Sequence, residues 1–501
     1  MSTLVKDDAA AFAATAVAGL DHVLGGGFAR RRLFLIEGVP GSGKTTLALQ
    51  FLRAAAHRGE PVLYITLSET AEELHAVAQS HGWTLDGISF HEVIPSEDAL
   101  GPEEQYTIFH ASEVELGSTL KQLLEAINRV KPTCVVVDSL SELRLLAGSA
   151  LRYRRQILAL KQFFTARGCT ALLLDDLTTV DHDLQTQSIA HGVVRLEQVQ
   201  PEYGAERRRL RVLKYRATAF RGGFHDFVIR RGGLVVFPRL VASEHRQVLQ
   251  VSKLASEIGP LDVLLGGGLE AGTSTLIVGA AGTGKSTLAA QFAAAAAARG
   301  QSAALFVFDE NPDTLISRCA ALGIDIASHV TAGEIRLRQV DPAELTPGEF
   351  IVAIRDEVEQ RQAAIVVIDS LNGYLNAMPE ERFLTIQLHE LLMYLGQKGV
   401  ATIMIGAHQG LIGTQMTTPV DASYLADAVI LMRYFEANGE VRQAISVVKK
   451  RGSRHERTIR EFELSARGIR IGEPLREFRG ILTGVPVYDG GSRPPMKAEP
   501  V

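Results

Sequence analysis

The chain has 501 residues, 46% hydrophobic and 22% charged, with a formal net charge of −5. That length and apolar content suffice for two domains that each bury a core, and they exclude an intrinsically disordered chain. The acidic excess excludes global attraction to nucleic acid, and the widely spaced Cys134, Cys169 and Cys319 read as buried thiols in a reducing cytoplasm, not as a disulfide framework or metal site.

At the start of the chain, Asp7 and Asp8 precede a short Ala-rich stretch, without the basic-then-apolar order of a signal peptide. Gly19-Leu20-Asp21 and Gly25-Gly26-Gly27 lead into Leu33-Phe34-Leu35-Ile36, a buried-strand pattern. Next comes Gly38-Val39-Pro40-Gly41-Ser42-Gly43-Lys44-Thr45, which matches G-x-x-x-x-G-K-[ST]. In that pattern glycines let backbone N–H groups converge on phosphates, the lysine reaches the outer phosphates and the hydroxyl holds magnesium. Gly41, Ser42, Gly43, Lys44, Thr45 and Thr46 are the nucleotide-binding candidates, opening a helix from Thr46 to Arg58 that ends at Gly59. The strand Val62–Thr66 runs toward Glu69. A third apolar run, from Val135, ends in Asp138-Ser139, placing a carboxylate where it would hold magnesium opposite Thr45; a helix N-cap is the competing role. Ala171–Leu174 reads as a further strand, and the basic run from Arg207 to Arg216 reads mostly as a solvated strand face.

The first part of this pattern, through Glu69, returns without gaps at an offset of 241 residues, Lys44 to Lys285 and Glu69 to Glu310, and the later motifs follow in the same order. Pro260-Leu261-Asp262 and Gly266-Gly267-Gly268 precede the strand Thr275–Val278 and a second loop, Gly279 to Ser286, with Gly282, Thr283, Gly284, Lys285, Ser286 and Thr287 as its binding residues. A helix from Thr287 to Arg299, a strand Ala304–Phe308 before Asp309-Glu310, a run ending in Asp369-Ser370 opposite Ser286, and a strand Ala401–Ile405 complete the copy. So long a period means two whole domains, since solenoid repeats run to about 20–50 residues. The alanine run at 293–298 is too short to span a membrane and reads as a tightly packed helix. The expected fold is α/β: two P-loop NTPase domains at 1–242 and 243–486, each a mainly parallel sheet flanked by helices, joined by a polar linker near 240–257 and followed by a disordered tail, 487–501.

From about Gly19 to Pro486 these residues resemble the KaiC family of circadian-clock-type ATPases. The marks are the duplicated Leu-Asp and Gly-Gly-Gly motif, the acidic position after the second strand, the Asp-Ser strand end, and a Lys-x-Arg late in each half, Lys214-Tyr215-Arg216 and Lys449-Lys450-Arg451. The resemblance implies RecA-like domains, ATP with Mg2+ held by Thr45, Asp138, Ser286 and Asp369, and a homohexamer with nucleotide bound between neighbouring subunits. It also implies that Lys214, Arg216, Lys449 and Arg451 reach the γ-phosphate of the next protomer. In the family a Glu-Glu pair orients the nucleophile or accepts its proton; this chain has Ser68-Glu69 and Asp309-Glu310, so Glu69, Asp309 and Glu310 are the catalytic candidates, with Glu69 and Glu310 alternatively serving as helix N-terminal charges.

The resemblance further places the family's autophosphorylated serine on Ser423, with Tyr424 where a threonine is expected and Thr418 on another threonine. It implies serine/threonine autokinase activity in the C-terminal half and a signalling or clock-type protein partner; the acidic balance argues against nucleic acid as a partner, and no membrane partner is expected. Dependence on the family's activating partner is not carried over, because the tail after Pro486 is short. Other readings are a RecA-like DNA-dependent ATPase, opposed by the acidic balance and the lack of an appended DNA-binding domain, and a nucleotide-switched scaffold without kinase activity. Isolated histidines such as His408 and His455 do not read as metal ligands; His408, after a strand, reads either as a structural residue or as a sensor of nucleotide state.

Overall fold

The computed structural model describes residues 11–93, 111–177, 184–201, 204–247, 252–376, 383–407, 424–437, 439–481 and 487–488. The chain divides into two compact units, Met1–Arg239 and Leu240–Val501. Each holds a nine-stranded sheet.

In the first unit the strands lie in the order Ile88–Glu92, Val62–Thr66, Cys134–Asp138, Thr170–Asp176, Leu33–Gly38, Gly192–Val199, Arg207–Tyr215, His225–Arg230 and Gly233–Phe237. Neighbours are parallel through Gly192–Val199, and the last three strands are added antiparallel. The second unit repeats this order with Ile335–Gln339, Ser302–Val307, Ala363–Asp369, Ala401–Ala407, Ser274–Gly279, Ala428–Ala437, Glu440–Lys450, Ile459–Ser465 and Gly468–Pro474, again six parallel strands and then three antiparallel. The duplication seen in the sequence is therefore a duplication of topology. The apolar runs are continuous because both faces of each sheet are covered: Leu33 and Leu35 pack into one cluster while Phe34 and Ile36, pointing oppositely, pack into the other.

The helix after each phosphate loop, Lys44–His57 and Lys285–Ala298, starts at the loop lysine itself. In the second, Ala289 and Ala290 and then Ala293–Ala297 are all buried, as the packed-helix reading requires. Among the described residues no helix is long and apolar enough to cross a membrane. The Leu-Asp motifs tie down local turns. Asp21 accepts from the Thr15 N–H at 3.0 Å, and Asp262 from the Ser256 N–H at 2.8 Å and hydroxyl at 2.9 Å.

Two boundaries differ from the sequence reading. Leu240 and Ala242, read there as the last residues of the first domain or as linker, are buried in a core cluster of the second unit. Val487–Tyr488, assigned to the disordered tail, pair antiparallel with Phe478–Arg479, because the Tyr488 ring finds Phe478 at 5.3 Å. All three cysteines are free and buried, and burial pushes the thiols of Cys134 and Cys319 up to about 12 and about 11. A thiolate is the reactive form. An aromatic disulfide reagent at neutral pH is therefore expected to label none of the three in the native protein and all three after denaturation; rapid native labelling would contradict the buried placement.

Candidate functional site

At the C-terminal end of Leu33–Gly38 the chain turns through Gly41 at φ +80° and Gly43 at φ +99°, conformations that side chains resist; a Cβ on Gly43 would also lie 2.5 Å from Ile229 Cδ1. The turn aims the N-terminus of Lys44–His57 across the strand ends, where free N–H groups and the helix dipole favour an anion. Lys44 is buried; its Nζ donates to Gly38 O at 2.8 Å and Val39 O at 3.1 Å and pairs with Asp176 Oδ1 at 2.6 Å. Thr45 Oγ1 donates to Asp138 Oδ2 at 3.2 Å, and the Tyr64 hydroxyl donates to the same oxygen at 2.6 Å. Burial raises the Asp138 carboxyl above the usual range against those two hydrogen bonds.

A hydroxyl beside a buried carboxylate is a hard oxygen pair that suits Mg2+, which binds through one or two carboxylates together with substrate phosphates and water. Among the described residues no group of three or more His, Cys, Asp or Glu forms a metal site of its own. Thr45 and Asp138 are the residues that would hold such an ion. Glu69 sits at the rim, its backbone N–H held by Thr66 Oγ1 at 3.0 Å. Its Oε2 is buried without a hydrogen-bond partner, and desolvation, then the charge of Asp138, raises its carboxyl above the usual range. Ser68 is exposed beside it.

The second unit builds the same frame with other fittings. Gly282 and Gly284 turn at φ +80° and +92°, Lys285 Nζ donates to Ala280 O at 2.7 Å, and Ser286 hydrogen-bonds Asp369, whose carboxyl burial again raises. Burial lowers the Lys285 ammonium below its usual range, opposed by Asp369. Glu310 differs from Glu69: Arg318 donates to both of its carboxylate oxygens, at 3.2 and 2.7 Å, and to Thr287 Oγ1 at 2.6 Å. Asp309 accepts from the Ser370 hydroxyl at 2.5 Å. The acidic pair of this half is thus anchored to the loop helix and to the Asp-Ser strand end.

Lys214, Arg216, Lys449 and Arg451 are not in these constellations. The Arg216 N–H bonds His191 O and the His191 N–H bonds Leu33 O, so Arg216 is level with the first residue of the loop strand. Arg451, Asp427 and Ser274 repeat that chain of bonds. Gly38 and Gly279 lie five residues further on, about 16 Å along a strand. At this far edge Lys214 Nζ caps Gln187 O at 2.8 Å, Arg216 reaches Ser188 O at 2.8 Å, Lys449 Nζ reaches Ala426 O at 2.7 Å, and Arg451 reaches Tyr424 O at 3.2 Å. Tyr424 is exposed. Ser423, Thr418 and His408 lie outside the described residues.

The family described as "ATPase: KaiC" matches residues 13–241 and, a second time, 254–476. The chain belongs to the KaiC ATPase family. Each half is a KaiC domain, and the whole is a KaiC-like tandem ATPase. The circadian clock protein KaiC3 of Synechocystis sp. is 27% identical over 483 residues, 95% of each chain. The circadian clock oscillator protein KaiC of Synechococcus elongatus is 27% identical over 478 residues, 94% of this chain and 91% of its own.

Within this KaiC frame, sequence reasoning passed over three side chains. Tyr64, on the second strand of the first half, is replaced by Leu305 at the same offset. Asp176 closes an apolar strand with Asp175, where the other half has Gly406-Ala407. Arg318, two helical turns beyond Glu310, corresponds to Val77. The signal in each case was inequality between aligned halves, which a search for shared motifs does not register.

Proposed function

We propose that this chain is a cytoplasmic homohexameric double-ring ATPase that hydrolyses Mg-ATP in both tiers and transfers phosphate to its own Ser423 in the C-terminal tier, serving as a nucleotide- and phosphorylation-dependent regulator read by a signalling or clock-type protein partner. In this reading Lys44 and Lys285 neutralise phosphates, Thr45 with Asp138 and Ser286 with Asp369 hold Mg2+, and Glu69, Asp309 and Glu310 orient the nucleophile. Mg2+ would supply charge neutralisation on the phosphate oxygens.

The observation that carries the reading is the pair of Lys-x-Arg motifs at the strand edge opposite the phosphate loops. Side chains some 16 Å from their own loop along the sheet do not serve it, whereas a ring brings one subunit's far edge to the next subunit's loop. Tyr424, the chain neighbour of Ser423, lies at that same edge with its carbonyl on Arg451, which supports a reading in which the neighbouring subunit's nucleotide would be the donor for Ser423. Site-mapped intact-mass analysis after incubation with Mg-ATP tests the kinase. Phosphate on Ser423 that is lost in Ser423→Ala and in Lys285→Ala supports it; hydrolysis without phosphoserine leaves an ATP-driven switch.

Glu69 gives this reading a pH signature. Only the ionised carboxylate accepts a proton, and burial raises its pKa, so acidification removes the base earlier than for an ordinary glutamate. In Lys285→Ala, which silences the C-terminal site, the acid limb of the rate profile is expected above the usual glutamate pKa, and Glu69→Gln should abolish most turnover. A limb at the ordinary value would assign the base elsewhere.

A further inference from the structure

The two phosphate loops differ in what their lysines hold. Lys44 directs its ammonium to two loop carbonyls, Gly38 O and Val39 O, and to the Asp176 carboxylate at 2.6 Å, which accounts for all three of its donors. Asp176 is the last residue of Thr170–Asp176 and stands level with Gly38 in the parallel register. In the other half the same register places Ala407 opposite Gly279. Lys285 accordingly lacks a carboxylate from that strand and donates to Ala280 O.

The carboxylate next to Asp176 does not share this task. Asp175 is buried and held by Arg144 at 2.5 Å, and Glu37, beside the loop on the central strand, is held by Arg195 at 2.9 Å. Asp176 therefore aims the one acidic group of this cluster that is paired with the loop lysine.

We infer that Asp176 is an affinity-setting residue of the N-terminal site, an internal competitor that occupies Lys44 and must yield it when nucleotide phosphates arrive. The inference deepens the nucleotide-site reading given above and rests on it. Phosphate oxygens and Asp176 compete for one ammonium in a buried, low-dielectric spot, and once displaced the carboxylate lies beside the anion it made way for. Binding at this site is weakened, and after product formation the carboxylate recaptures Lys44 and speeds release. In the C-terminal site a phosphate meets a desolvated lysine with no such paired competitor among the described residues, and binding is tighter.

Equilibrium and stopped-flow binding of a fluorescent ADP analogue with Mg2+ to the full chain tests this. Lys44→Ala identifies the class of sites that belongs to the first unit. For that class Asp176→Ala and Asp176→Asn are expected to tighten binding about tenfold or more and to slow release, and Ala407→Asp to loosen the other class by a similar factor. Unchanged or weakened binding in Asp176→Ala would overturn the inference and assign the carboxylate to metal or water positioning. If Lys44→Ala removes no class at all, the failure lies instead with the nucleotide-site reading of the first unit.

Discussion

Arg216→Ala combined with Arg451→Ala in one chain is expected to lower steady-state ATP hydrolysis by about 10³-fold or more while leaving nucleotide binding near its original strength. The leaving phosphoryl group spreads charge over its oxygens, and an arginine delivered to them acts mainly on the transition state, so the loss falls on turnover and not on affinity. Both residues are exposed and, among the described residues, bond nearby carbonyls and, for Arg451, the Asp427 carboxylate at 3.6 Å. Their removal should therefore cost little stability, as exposed pairs contribute little. Turnover measured alongside ADP binding and a thermal melt checks this; a variant that melts normally and hydrolyses normally would show that neither arginine meets a phosphate.

Lys44→Ala with Lys285→Ala should instead weaken nucleotide binding strongly together with hydrolysis, with turnover down by at least about 10²–10³-fold. The two single variants are expected to differ. Removing Lys44 leaves Asp176, Asp138 and Glu69 around the loop without its opposing charge, so the first site becomes repulsive to phosphate. Removing Lys285 takes away a cation whose main acidic neighbour is Asp369, and residual weak binding is expected to survive there. Isothermal titration with Mg-ADP separates these outcomes, and equal, mild losses in both singles would contradict the charge distribution described.

The fold was legible because it is written twice. Loop and glycine motifs recur at one offset and the strand-end aspartates follow in the same order, and the period-independent apolar runs around Val135 and Val366 already indicated central parallel strands covered on both faces. Strand ends were read short by one to three residues, as at Asp176 and Ala407, since a polar or small residue closing a strand looks like loop. That shortfall hid Asp176 from the candidate list. Arg318 stayed hidden for a related reason: its meaning comes from the helix Pro312–Ala321 folding back on Glu310, and a lone arginine on an amphipathic helix reads as solvated surface. The trans role of Lys214, Arg216, Lys449 and Arg451 was implied by family likeness and by the charge a transferring phosphoryl group develops; the register adds that these residues lie at the strand end away from their own loops.

Mixing two inactive chains tests that central claim most directly. Subunits carrying Lys44→Ala and Lys285→Ala have intact far-edge arginines but no loop lysines; subunits carrying Arg216→Ala and Arg451→Ala have the reverse. If each site is completed by its neighbour, co-assembled rings contain junctions with an intact loop on one side and an intact arginine on the other, and ATP hydrolysis reappears on mixing. Mixed rings, verified by mass, that remain as inactive as either parent would contradict completion of the sites between subunits.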